Sequence, residues 1–261
     1  MRSLNVAATG MMAQQLNVEV ISNNVANMTT TGYKRRRPEF QDLLYQSQRR
    51  IGAESSDTGT VVPAGVQLGL GVKTAAVYRI HEQGDVLNTE NKLDLAIQGD
   101  GFFIVDMPNG DTAYTRSGNF QLSPDGVIVN ADGYEISPGL TVPADTVELT
   151  INAEGYVSAK VQGQIAPVSV GQFDLASFVN PAGLEAIGNN FLLETPASGP
   201  ATIGNPGTDG FGTVLQGFLE GSNVNPVQEI TALITAQRAY DLNSKVISAS
   251  DEMMAAVAQL R

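Results

Sequence analysis

NPVQEITALITAQRAYDLNSKVISASDEMMAAVAQL, residues 225–260, is the stretch on which the fold turns. Leu233, Tyr240, Ile247 and Met254 recur at intervals of seven, flanked by Ala232, Ala239, Val246, Met253 and Leu260. That spacing writes one apolar stripe along a helix. Asn225 suits an N-cap, Pro226 the first helical position and Gln228 a capping-box position. A helix of about 35 residues is roughly 50 Å long. Apolar on one stripe only, it needs a second helix to cover it.

The other end of the chain supplies a matching pattern. Leu4, Met11, Val18 and Val25 are seven apart, and Ala7, Gln14, Ile21 and Met28 each follow by three. Every one of these positions except Gln14 is apolar. Gly10, in Ala7-Ala8-Thr9-Gly10, permits close helix approach at about 1 kcal/mol of helix propensity. Asn23, Asn24 and Asn27, then Gly32, end the helical pattern. Leu4, Met11, Val18, Ile21 and Val25 are therefore expected to pack against Leu233, Tyr240, Ile247 and Met254 as a coiled coil, within or between subunits. So thin a seam repays little of the entropy of ordering two helices. The ends are expected to be loosely held in an isolated chain and to order when chains pack together.

The middle of the chain changes period. Val147, Leu149 and Ile151 alternate with Glu148, Thr150 and Asn152; after Gly155 the alternation resumes at Val157, Ala159 and Val161, a hairpin pattern with Gly155 in its turn. Leu95-Ala96-Ile97 and Gly101-Phe102-Phe103-Ile104-Val105 read as strands buried on both faces. Pro108-Asn109-Gly110, Ser123-Pro124-Asp125-Gly126 and Ala131-Asp132-Gly133 are turns between short strands, as in a meander or barrel. Residues 195–213, rich in Gly, Pro, Ser and Thr, read as a return strap. The fold class is α+β: terminal helices pairing as a coiled-coil subdomain, with an inserted, mainly antiparallel, barrel- or meander-like β body.

Composition removes several kinds of chemistry. The 261 residues include no cysteine, so disulfides and thiolate sites are absent, and the single histidine, His81, excludes a two-histidine zinc site. His81 has no Gly-x-Ser-x-Gly elbow to serve, and a surface or interface position suits it better than catalysis. The Asp-Gly pairs fall where hairpin turns are expected and match no calcium-loop spacing. Gly69-Leu70-Gly71 and Gly99-Asp100-Gly101 are half-fingerprints without a βαβ setting. No local signature supports paired catalytic carboxylates, so no catalytic, cofactor-binding or metal-binding residue is assigned.

The net charge of −12 is uneven. Residues 1–50 hold seven Lys/Arg against three Asp/Glu, and residues 51–215 five against nineteen. An acidic middle argues against nucleic acid, and no run of ~18 apolar residues suggests membrane insertion. The basic run Lys34-Arg35-Arg36-Arg37 reads as a solvated turn or local ion-pair site, or as a contact for acidic neighbours. No cleavable signal is legible in the N-terminal stretch, where Gln14, Gln15, Asn17 and Glu19 interrupt any apolar core.

Two motifs add a resemblance. Ser22-Asn23-Asn24-Val25-Ala26-Asn27 followed by Thr30-Thr31-Gly32-Tyr33-Lys34 is similar to the signature after the N-terminal helix of bacterial flagellar axial proteins, the rod and hook family. Gln237-Arg238-Ala239-Tyr240-Asp241-Leu242-Asn243-Ser244-Lys245 resembles the same family's C-terminal helix. Leu95–Phe103 and Tyr114–Phe120 resemble its body motifs. Arg49–Ala53 through Pro63–Val72, Asn180–Asn190 and Leu219–Val224 resemble the distal-rod branch, with proximal rod and hook-type subunits as alternatives. Asn5 and Pro226 depart from the family pattern, where an aromatic and an aliphatic residue are usual.

The resemblance implies a structural subunit rather than an enzyme, without cofactor. It implies self-polymerisation into a rigid hollow shaft across the periplasm, export through the flagellar type III apparatus, and contacts with proximal rod subunits, hook protein and basal-body rings. Its division would be 1–30 with 222–261 as the helical domain, 31–74 with 211–221 as a connecting domain, and 75–210 as the outer body. Stiffness would come from residues 46–72. The family-motif positions are Asn23, Asn24, Asn27, Thr30, Gly32, Tyr33, Lys34, Gln237, Arg238, Ala239, Tyr240 and Asn243. A cell-wall-cleaving enzyme and a monomeric β adhesin are the rival classes; paired helical ends serve neither.

Overall fold

The computed structural model describes residues 2–49, 64–164 and 166–259. Residues 50–63 of the 46–72 stretch, and Leu260 of the C-terminal stripe, lie outside the described residues. The chain forms two compact units, one of residues 1–25, 36–78 and 225–261, the other of residues 26–35 and 79–224.

The first unit holds two long helices, α1 (Arg2–Ala26) and α2 (Pro226–Gln259). α2 begins where its cap sits: the Asn225 side-chain oxygen accepts from the amides of Val227 at 3.1 Å and Gln228 at 3.3 Å. α1 ends ahead of Asn27, and Met28, placed in the seam by its spacing, lies beyond the helix and is exposed. The strands Arg36–Asp42 and Val72–Arg79 pair, and Tyr45–Arg49 runs antiparallel to Val66–Gly69. Thr9 on α1 anchors the link from Val66–Gly69 to Val72–Arg79: its hydroxyl accepts from the Val72 amide at 3.3 Å.

The second unit is an antiparallel β body. Phe102–Asp106 is central, and its alternation feeds two cores. Phe103 and Val105 point into the larger, with Leu95, Ile97, Phe120, Ile136, Val157 and Phe173. Phe102 and Ile104 point into the smaller, with Tyr114, Phe178, Leu184 and Leu192. Burial on both faces is what the unbroken apolar run required.

No closed barrel forms among the described residues, which corrects the barrel-like expectation. One edge of Phe102–Asp106 is shared by two short strands, Leu175–Ser177 along its beginning and Glu135–Ile136 along its end. The sheet forks there, and two-residue strands such as Gln121–Leu122 cannot carry the continuous ladder that closure needs.

The expected hairpin is present as Thr146–Ile151 against Tyr156–Val161, with Gly155 at φ +78° in its turn. Leu149, Ile151, Val157 and Ala159 are buried, but Val147 is 65 % exposed. The register shifts between Thr146 and Glu148, and a bulge re-aims the side chain beside it. We expect Phe103→Ala, which empties a fully buried site against the edge of Phe120, to cost about 3–5 kcal/mol. Val147→Ala should change stability by less than about 0.5 kcal/mol. Urea unfolding followed by circular dichroism checks both, and a large loss at Val147 would contradict the bulge.

Candidate functional site

The Thr30–Lys34 motif lies in the second unit, where it builds a buried charge cluster. The chain turns after α1 through bonds from Thr30 N to Asn27 O and from Tyr33 N to Thr30 O, both 3.2 Å. Gly32 adopts φ +70°, and a Cβ there would stand 2.8 Å from the Arg116 and Ser117 backbone. Only glycine fits the place where this turn presses on the body. The Gly32 amide donates to Glu220 O at 2.8 Å, and the Asn190 side chain donates to Thr31 O at 2.9 Å.

Lys34 then points inward. Its Nζ is 2.6 Å from Glu220 Oε1 and 2.7 Å from Glu82 O. Glu220 is fully buried, and accepts also from the Gly84 amide at 3.0 Å and from Arg116 Nη1 at 3.4 Å. Arg116 reaches Gly99 O with its second amino group at 2.8 Å and lies over the Phe102 ring. Burial is the largest influence on Lys34 and pulls its pKa down, with Glu220 opposing; Arg116 is moved the same way for the same reasons.

Asn223 fastens the neighbouring strands. It accepts from Arg35 N at 2.7 Å and donates to Ile80 O at 2.9 Å and Glu82 O at 3.1 Å. The basic run is thus divided. Lys34 is spent on an internal partner, which corrects the idea that it meets an acidic neighbour, and Arg35 pairs with Glu82 at 3.3 Å. Arg37 is exposed.

His81 stands edge-on to Phe102 with centroids 5.8 Å apart. It is largely buried in the body rather than at a free surface. Burial, then the charges of Lys34, Arg79 and Arg116, push its pKa down to about 4, against a small opposing contribution from the Pro181 backbone.

In the first unit Asn24 is buried on α1 and holds Arg36 as a strand would, accepting from its amide and donating to its carbonyl at 2.9 Å each. It also donates to Glu229 of α2 at 3.2 Å. Ser250 of α2 donates to Ser3 of α1 at 3.4 Å, and Asn243 packs on Gly10. The two helices therefore run side by side in opposite directions.

Among the nine residues expected to form the seam, Ile21 is buried, while Leu4, Met11, Val18, Val25, Leu233, Ile247 and Met254 are partly buried. Tyr240 is 42 % exposed beside Gln15, Val18 and Glu19, at a groove of about 400 Å³. Val246 and Met253 are exposed. On α2 the inward line is instead Glu229, Ala236, Asn243 and Ser250, beside Leu233, Ile247 and Met254. Of the motif positions, Asn23, Gln237 and Arg238 are exposed, and Asn27, Thr30, Ala239 and Asn243 partly buried. Gly32, Tyr33 and Lys34 are buried. The sequence reading gave no role to Glu220, Arg116 or Asn223, although all three fall in stretches carrying the resemblance. A lone acid ending an apolar strand, as in Phe218-Leu219-Glu220, was the available signal.

Three family models match in chain order. Residues 4–34 match a model described as flagella basal body rod protein. Residues 96–159 match the flagellar hook protein FlgE/F/G D1 domain, and residues 215–260 the flagellar basal body rod FlgEFG protein C-terminal. The chain is 58 % identical to the flagellar basal-body rod protein FlgG of Caulobacter vibrioides over the full length of both. It is 49 % identical to that of Agrobacterium fabrum over 99 % of each. To that of Bacillus subtilis it is 37 % identical, covering 100 % of this chain and 99 % of the relative.

The chain belongs to the FlgG family of flagellar basal-body rod proteins. It is a structural subunit of the distal rod in the flagellar basal body, not an enzyme. Its family motif Thr30–Lys34 contributes Lys34 to the charge cluster.

Removing one member of that cluster leaves buried charge less compensated, and most so when the shared carboxylate goes. Glu220→Leu strands two cations and should cost the rod subunit about 3–5 kcal/mol of body stability, whereas Lys34→Met leaves Glu220 with Arg116 and Gly84 and should cost less. Urea unfolding of the full chain measures the order, and equal losses would contradict it. His81 gives a pH dependence. In the unfolded chain it takes a proton near pH 6.5 and in the folded body only near 4, so stability is full above 6.5 and falls as pH drops between those values. The fall should reach about 3 kcal/mol, and His81→Phe should remove that part of the slope.

Proposed function

We propose that this rod subunit polymerises through its helix pair into a hollow shaft, with the helices coiled together as the inner wall and the β body outside. The observation carrying this reading is the apolar surface that α2 leaves uncovered. Val227, Ile230, Ile234, Leu242, Val246 and Met253 are between 46 % and 73 % exposed, Val227 and Ile234 opposite the line that meets α1 and the others on its flanks. A helix with apolar side chains uncovered around so much of its circumference wants further neighbours. A groove of about 600 Å³, lined by Gln14, Asn17, Val227, Thr231 and Ala239 among others, offers a seat for a helix of the next copy. Under this reading the shaft spans the periplasm, carries motor torque to the hook and conducts later export substrates. The subunit itself leaves through the flagellar type III apparatus. Its partners are further copies, proximal rod subunits, hook protein and ring proteins, and contacts from residues 46–72 stiffen the shaft. The domains of 1–30 with 222–261, 31–74 with 211–221, and 75–210 would be its inner, middle and outer layers.

The test replaces the wild-type chain in cells by Ile234→Asp with Val246→Asp. Basal bodies isolated from these cells should show truncated rods without hooks by negative-stain electron microscopy. The purified variant should keep the wild-type unfolding midpoint of its body. Rods of normal length would overturn the proposal.

A further inference from the structure

The apolar stripe first read from the sequence cannot choose a register. Leu233, Tyr240, Ile247 and Met254 repeat every seven residues, so a partner helix displaced by one heptad meets nearly the same side chains. What differs along the pair is its polar and small residues. On α1, Ser3, Gly10, Asn17 and Asn24 ascend by seven; on α2, Ser250, Asn243, Ala236 and Glu229 descend by seven.

These two series meet rung by rung. Ser250 Oγ is 3.4 Å from Ser3 Oγ, and Asn24 Nδ2 is 3.2 Å from Glu229 Oε2. Asn17 and Ala236 line one groove. Asn243 sits on Gly10 so closely that a Cβ on Gly10 would be 2.9 Å from Asn243 Nδ2 and 3.2 Å from its Cγ.

We infer that this ladder, and above all Asn243 on Gly10 with Asn24 on Glu229, sets the register and direction of α1 on α2. The inference rests on the helix-pair reading above and adds its specificity determinants. Each rung is distinct, so a slip is penalised at several places. Displacing α1 by one heptad in one sense sets Asn243 against Asn17 in place of Gly10, where there is no notch for it, and sets Asn24 against Ala236, leaving its bond to Glu229 unmade. Displacement in the other sense brings Gly10 to Ala236 and takes Asn24 past the start of α2. The correct register is therefore chosen by the seat that Gly10 offers Asn243 and by the Asn24–Glu229 bond rather than by apolar area. An asparagine in an apolar helix seam has this effect, at a cost in stability.

The chain has no cysteine, so an introduced pair reports without background. Ser3→Cys with Ser250→Cys is close enough for a disulfide. The pair is built into the full-length chain and expressed in place of the wild type. Isolated basal bodies are oxidised with copper phenanthroline and read on non-reducing gels. The expected product is an intramolecular link. Adding Glu229→Leu and Asn243→Leu should lower its yield about tenfold, the change expected for a register preference of about 1.4 kcal/mol. Gly10→Ala should lower it likewise, and Gly10→Ala with Asn243→Ala should restore it, which a merely destabilising change at Gly10 would not do.

An undiminished yield in the leucine variant, or no rescue by Asn243→Ala, overturns the ladder while leaving the helix pair intact. A covalent dimer in place of the internal link overturns the ladder within one chain. No link in any variant, with rods still formed, overturns the helix pair itself.

Discussion

A single buried carboxylate constrains this molecule most tightly. Glu220 is one of 27 acidic residues, and it is held without solvent between Lys34, Arg116 and the Gly84 amide. Taking a carboxylate and two cations out of water is expensive, and their attraction only offsets that cost when the geometry is met closely. The cluster is therefore weak evidence of net stability and strong evidence of position. It fixes where residues 33–35, 80–84 and 220–223 run relative to one another. Those segments adjoin three of the four points where the chain passes between its two units, at 35–36, 78–79 and 224–225. Burial, and after it the positive charge of Lys34, Arg79 and Arg116, keeps His81 neutral until acid conditions.

The two units are held by different forces. In the β body, Phe102–Asp106 serves two cores, and aromatic edges meet faces at Phe103–Phe120, Phe102–Phe178 and Tyr114–Phe178. That burial is non-directional and large. Between the helices the contacts are few, small and polar: serine on serine, asparagine on glycine, asparagine on glutamate. Such contacts discriminate well and bind weakly. Under the polymer proposed above, the helices would gain further burial from neighbouring copies.

The resemblance motifs acquire a physical meaning from this division. Gly32 is needed because Arg116 backbone occupies the space a Cβ would take, and Lys34 because it makes the shorter of the two ion pairs to buried Glu220. Asn24 supplies both a donor and an acceptor to the Arg36 backbone, which aspartate or leucine could not. The exposed Gln237, Arg238 and Tyr240 satisfy no comparable need among the described residues. Their presence in the motif is consistent with contacts made to other copies.

The sequence by itself determined the elements. Heptad spacing gave both helices, Asn225 and Pro226 gave the start of one, and alternation with Gly155 gave the central hairpin, because these are patterns of period and turn that act over a few residues. The tertiary structure alone decided which faces those elements use. Val147 points outward because a bulge lies beside it, Tyr240 is exposed although it keeps the heptad, and the sheet forks because two strands share one edge. The charge cluster was the least legible part, since Lys34 and Glu220 are 186 residues apart. Local spacing records how a chain repeats along itself. Whether a charge is buried, and which side of a helix is covered, depends on partners that folding brings from elsewhere in the chain.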